Sequence, residues 1–108
     1  MNQKLHHLKE SFALLKSMPF PSSIDDALLG DLHAELAEYD GYVVGILETV
    51  LSSGQPGKEE VDSAPQLTKA LESTQDARVV PLRDYLKQIK ACLKAAEEAG
   101  LIHFSRGK

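Results

Sequence analysis

A chain of 108 residues and 11.8 kDa has the size of one domain, able to bury roughly two thirds of the surface it exposes when unfolded. Hydrophobic residues at 43% and charged residues at 26% describe a soluble globular protein and exclude the collagenous, disordered and disulfide-stapled classes. Sixteen acids against twelve Lys and Arg leave a net charge of −4, which opposes phosphate-backbone attraction and argues against a nucleic-acid partner.

The single cysteine, Cys92, permits neither an intrachain disulfide nor a CxxC pair, so a reducing compartment fits best. The N-terminal residues are too polar for a signal-peptide core, and no apolar run is long enough to cross a membrane. The expectation is a cytoplasmic protein with no membrane partner.

Leu5, Leu8, Phe12 and Leu15 share one helical face and predict a first helix over 3–17. Met18-Pro19-Phe20-Pro21 stops it, because each proline lacks a backbone donor and disfavours helix in the residue before it. Ser22 or Ser23, with Asp25 or Asp26 three residues on, predicts the start of a second helix over 23–52. Its apolar positions Ile24, Leu28, Leu32, Leu36, Tyr39, Val43, Ile46 and Val50 keep three- and four-residue spacing. At about 44 Å it is twice as long as the first, so later helices or a second subunit must cover the remainder.

Residues 53–62 mix turn formers with charge and read as a loop. Ser63 caps a short third helix over 64–77, with Leu67, Ala70 and Leu71 as its stripe. Val79-Val80-Pro81 favours an extended break. A fourth helix over 81–99 follows from Leu82, Leu86, Ile89, Leu93 and Ala96, with Gly100 as its left-handed cap. The tail 101–108 carries Ile102 and Phe104 without periodicity and reads as irregular, and no strand-like alternation appears. The fold expected is all-α, a single four-helix bundle-like domain with the second and fourth helices as the principal packed pair, possible completion coming from dimerisation.

Charge is divided along the chain. Residues 21–57 hold seven acids and no Lys or Arg, whereas the fourth helix sets Arg83, Lys87, Lys90 and Lys94 along one stripe. The plainer reading pairs that stripe with the acidic second helix; the functional one has it bind an anion, phosphate or an acidic partner.

Ala37, Gly41 and Gly45 recur every four residues on the second helix, with Gly30 and Ala34 on the same side. Each helical glycine costs about 1 kcal/mol against alanine, so their retention suggests close backbone approach. Ala91, Ala95 and Ala99 repeat the spacing on the fourth helix. The six are candidate interface residues, either of a homodimer seam or of close packing inside one chain; Gly41 is also a candidate kink. The length of the second helix favours the dimer.

Asp26, His33 and Asp40 are spaced by seven residues, about 10.5 Å per interval, too far for one metal ion. His33 and Asp40 therefore remain only weak ligand candidates, and no metal or cofactor is expected. His6, His7 and Glu10 read as exposed residues at helical spacing, and Cys92 as a small buried hydrophobe with no base nearby in sequence, although a distant histidine such as His103 can approach it in the fold. Gly54-Gln55-Pro56-Gly57-Lys58-Glu59 lacks the glycine and Ser or Thr that a phosphate loop needs. Tyr39 and Tyr42 read as core and rim residues that can also wall a ligand site.

No catalytic set emerges. The expected function is a non-enzymatic helical protein–protein interaction module that forms a homodimer. The alternative is a ligand- or metal-binding helical protein, or an enzyme, with an inter-helix pocket near His33, Tyr39, Asp40 and Tyr42. A third reading makes the acidic helix bait for a basic partner.

Overall fold

The computed structural model describes residues 3–53 and 59–105. Its elements run α1 (Gln3–Ser17), α2 (Ala27–Ser53), β1 (Glu59–Val61), α3 (Pro65–Ser73), a 3₁₀ turn (Ala77–Val79), α4 (Val80–Glu98) and β2 (Ile102–Phe104). The protein is mostly helical, as its apolar periodicity predicts, with one small sheet added.

α4 is the hub. It packs most extensively on α1 and also meets α2, α3 and β2. The expected pairing of the second and fourth helices is present, but α1·α4 is the larger contact. Leu8, Phe12 and Leu15 of α1 are buried, and Gln88 on α4 donates to the Ser11 carbonyl at 3.0 Å. The core continues through Leu36, Val43 and Leu47 of α2 and Leu82, Ile89 and Leu93 of α4, all fully buried. No polar or charged side chain is buried among the described residues. The shortest extent of the molecule, 18 Å, accommodates about two helix layers at 8–10 Å spacing, which leaves outward helix faces in solvent.

The start of α2 lies later than the serines suggest. Asp26 is its cap, accepting from the Leu29 amide at 3.0 Å, as an N-cap side chain does for the third helical residue. Tertiary anchoring keeps the preceding segment out of the helix. His33 Nε2 donates to the Pro21 carbonyl at 2.8 Å, and the Phe20 ring lies edge-on to both His33 and Tyr85, at 5.1 and 4.9 Å.

α3 is shorter than its sequence reading because Thr74 turns extended. No break separates Val79 from Val80: the 3₁₀ turn leads directly into α4. Asp76 accepts from the Arg78 amide at 2.9 Å, Val79 is fully buried, and Pro81 sits in a first turn where no backbone donor is needed.

The tail, expected to be irregular, forms β2. Gly100, at φ 78°, ends α4 in a Schellman motif, with the Leu101 amide on the Ala96 carbonyl and the Gly100 amide on that of Glu97, both at 3.0 Å. This reversal delivers β2 parallel to β1, with Glu59, Glu60 and Val61 opposite Ile102, His103 and Phe104. Part of the expected 53–62 loop is thus strand, while residues 54–58 and 106–108 lie outside the described residues. No described helix is long and apolar enough to cross a membrane.

Candidate functional site

α2 buries Leu29, Leu32, Leu36, Tyr39, Val43, Leu47 and Val50. Helix geometry places Gly41 about 140° and Gly45 about 180° around the axis from Leu36, so the small-residue stripe points away from the core. Ala34, Ala37, Gly41 and Gly45 are accordingly exposed, and a Cβ built at Gly41 or Gly45 meets nothing within 4 Å. Only Gly30 is approached, by the Ile24 carbonyl at 3.3 Å. Of the two readings of this stripe, close packing inside one chain is not seen at Ala34, Ala37, Gly41 and Gly45. α2 is also continuous through Gly41, with no break there. On α4 the matching stripe splits: Ala91 is exposed, Ala99 half-buried and Ala95 buried.

The outer face of α2 also carries exposed Asp31, Glu35, Glu38 and Glu48. Glu48 pairs with Lys16 of α1 at 3.4 Å, a surface contact worth about 0–1 kcal/mol. Leu28 and Tyr42, 63% and 42% exposed, are two of the four large exposed hydrophobics among the described residues, and both belong to this helix.

The basic stripe of α4 does not pair with α2. No ion pair among the described residues joins them. Arg83 instead closes the end of α3, donating through Nε to the Leu71 carbonyl at 3.0 Å and through a terminal nitrogen to that of Thr74 at 2.8 Å. These are carbonyls that a helix leaves without partners. The Lys90 ammonium donates to the Ser63 carbonyl, and burial pushes its pKa down, opposed by the charges of Glu72 and Asp62. Lys87 and Lys94 are exposed. Arg83, Lys87 and Lys90 share a cleft of about 320 Å³ with Thr68, Leu71, Glu72 and Leu86; Lys94 lies outside it.

Tyr39 and Tyr42 stack at 5.9 Å and hold the turn before α3. Tyr39 donates to the Asp62 carbonyl at 2.6 Å, and the Asp62 amide donates to the Tyr42 hydroxyl at 3.0 Å. Burial is the main cause that raises the Tyr39 pKa, with the Asp62 charge adding to it. The same turn forces Ala64 to φ 51°, a left-handed conformation costing about 1–2 kcal/mol for a residue with a Cβ. Asp62 Oδ1 fixes it by accepting from the Ala64 amide at 2.8 Å.

His33 and Asp40 are likewise engaged. His33 anchors Pro21, and Asp40 accepts from the Tyr85 hydroxyl at 3.1 Å. Burial raises the Asp40 pKa while that hydrogen bond lowers it. The two residues therefore fasten the connector and α4 to α2, and no group of three His, Cys, Asp or Glu among the described residues has the geometry to hold a metal ion. Cys92 is fully buried; burial pushes its thiol up to about 11, against a hydrogen bond from Gln88. His6 and Glu10 pair at 3.2 Å on the exposed side of α1, and His7 and His103 are exposed.

Comparison with protein families, characterised proteins and solved structures finds no match for this chain.

The cleft was half visible in the sequence, since Arg83, Lys87 and Lys90 form a helical stripe. Its other wall, Thr68, Leu71 and Glu72, depends on how α3 docks.

Proposed function

We propose that the chain is a non-enzymatic helical interaction module that associates with a second copy through the outer face of α2. One observation carries this reading: Gly41 and Gly45 lie in mid-helix, and among the described residues no atom comes within 4 Å of the space a Cβ would fill. Each costs about 1 kcal/mol relative to alanine in a helix interior, and no close approach among the described residues offsets it. A partner backbone at close range does. Exposed Leu28 and Tyr42 add apolar area to the same helix.

The acidic flank separates self-association from capture of a basic partner. A seam between two α2 helices brings Asp31, Glu38 and Glu48 of each copy near those of the other, and no Lys or Arg lies within α2 to compensate. Salt screens that repulsion, so self-association tightens as ionic strength rises from about 0.05 M to about 0.5 M, where the screening length shortens severalfold. A basic partner responds in the opposite sense. Sedimentation equilibrium across this range tests the reading; a monomer at both salt concentrations contradicts it.

A further inference from the structure

Between the flank of α2 and the turn into α3 runs a groove of about 760 Å³. Glu35, Glu38 and Tyr42 form its α2 wall, and Asp62, Pro65 and Gln66 stand opposite. No Lys, Arg or His lines it. Its floor is open: the Tyr42 ring is 42% exposed, with Pro65 and Gln66 exposed beside it. The ring is also held still, stacked on Tyr39 at 5.9 Å and accepting through its hydroxyl from the Asp62 amide at 3.0 Å. The charges around it are uncommitted. The carboxylates of Glu35 and Glu38 make no ion pair or hydrogen bond among the described residues. Asp62 uses one oxygen on the Ala64 amide. Lys90, whose charge reaches Asp62, is held at the Ser63 carbonyl and does not line the groove.

We propose that this groove docks an arginine-bearing segment of a partner protein, the guanidinium lying on the Tyr42 ring with Glu35 and Asp62 at its edges. A planar cation suits both kinds of group at once: its face stacks on an aromatic ring, and its edge donates in pairs to carboxylates. An ammonium has no such plane, and no three of the described His, Cys, Asp and Glu are placed to hold a metal ion. A ring already fixed in place also loses little freedom on binding. The arginine comes from another protein because both described arginines of this chain are engaged, Arg78 by Asp76 and Asp26 and Arg83 by main-chain carbonyls. Tyr42 and Glu35 lie about 100° and about 120° round α2 from Gly41, with Glu38 between the groove and the seam. The inference therefore stands or falls separately from the self-association reading.

The test is an NMR titration of the isotopically labelled protein with the peptide acetyl-Gly-Arg-Gly-amide and with its counterpart carrying citrulline, the uncharged isostere of arginine. The arginine peptide should give saturable amide shifts centred on residues 35–42 and 62–67, with the citrulline peptide at least about tenfold weaker. Glu35→Lys should weaken arginine-peptide binding about five- to tenfold, whereas Asp84→Lys, the same charge change on the exposed side of α4, should alter it less than about twofold. Both variants change exposed side chains, and unchanged thermal midpoints verify their fold. Tyr42→Leu should weaken binding about two- to fivefold, and Tyr42→Phe, which keeps the ring, less than about twofold. Absence of saturation, citrulline binding as tight as arginine, or equal losses in the two charge variants would overturn the proposal. So would shifts at residues 62–67 on concentrating the protein alone, which would put a second copy in the groove.

Discussion

α4 is packed against α1, α2, α3 and β2 and keeps one exposed stripe through Asp84, Lys87, Ala91 and Lys94, whereas α2 meets the rest of the molecule along one face and leaves the opposite one in solvent. Both helices carry small residues at four-residue spacing, but with different consequences. Ala95 and Ala96 of α4 are buried, and Ala96 anchors the turn into β2. A Cβ added at Gly41 or Gly45 of α2 would meet no described atom outside the helix's own nearby backbone. The lesson is that small residues report close packing only when their phase coincides with the apolar stripe; out of phase, they describe an outward surface.

The charged residues show the same contrast. Arg83 and Lys90 of α4 satisfy main-chain carbonyls of α3 and of the turn before it, so they act as structural clamps. Most acids on the outer face of α2 remain in water, where single pairs such as Lys16–Glu48 stabilise little.

The largest effect expected from this contrast is on the core side of α2. Leu36→Ala should destabilise the fold by about 2–5 kcal/mol, while Leu28→Ala on the exposed side should stay within about 0.5 kcal/mol, both read by urea unfolding. Comparable losses in the two would show that α2 is not buried on one face only. Next, Arg83→Met should cost about 1.5–3 kcal/mol through its charged hydrogen bonds and reduce amide protection in α3; Lys94→Met should do neither.

A smaller gain should follow from Gly41→Ala, which stabilises the monomer by about 0.5–1 kcal/mol because the methyl group enters open space. A loss of stability measured under monomeric conditions would reveal an unseen intrachain neighbour. The smallest effect concerns pH. Hydrogen bonds and charge from Arg78 hold the Asp76 carboxyl at about 2, below its ordinary 3.8. A depressed pKa stabilises the fold above the ordinary carboxylate range, and that contribution is lost as pH falls through about 2. Carboxyl NMR should show this titration, and Arg78→Gln should return it toward the ordinary value; an unshifted Asp76 with Arg78 intact would mean that the contact does not persist in solution.

Helices were the legible part of the fold, because Leu8, Phe12 and Leu15 or Leu82, Leu86, Ile89 and Leu93 declare their period without tertiary help. α1 occupies its predicted span, and α4 is displaced by only a residue at each end. What escaped depends on contacts distant in sequence. The cap of α2 is set by where Phe20 and His33 pin the connector, and the end of α3 by Arg83. Three-residue strands are too short to show alternation, and Ile102 reaches β1 only because Gly100 reverses the chain. The phase of the small-residue stripe, by contrast, was available from the sequence: five residues from Leu36 to Gly41 turn the helix about 140°. The basic stripe was legible as a stripe, but its role as a clamp was not, since carbonyls carry no sequence signature.

Sedimentation velocity of the wild type beside Gly41→Leu at micromolar concentration tests the central claim most directly. The leucine has room in the monomer, so its thermal midpoint measured under monomeric conditions should not fall. The account predicts a wild-type dimer that becomes a monomer in the variant. A wild type that sediments as a monomer, or a variant that still dimerises, would contradict it.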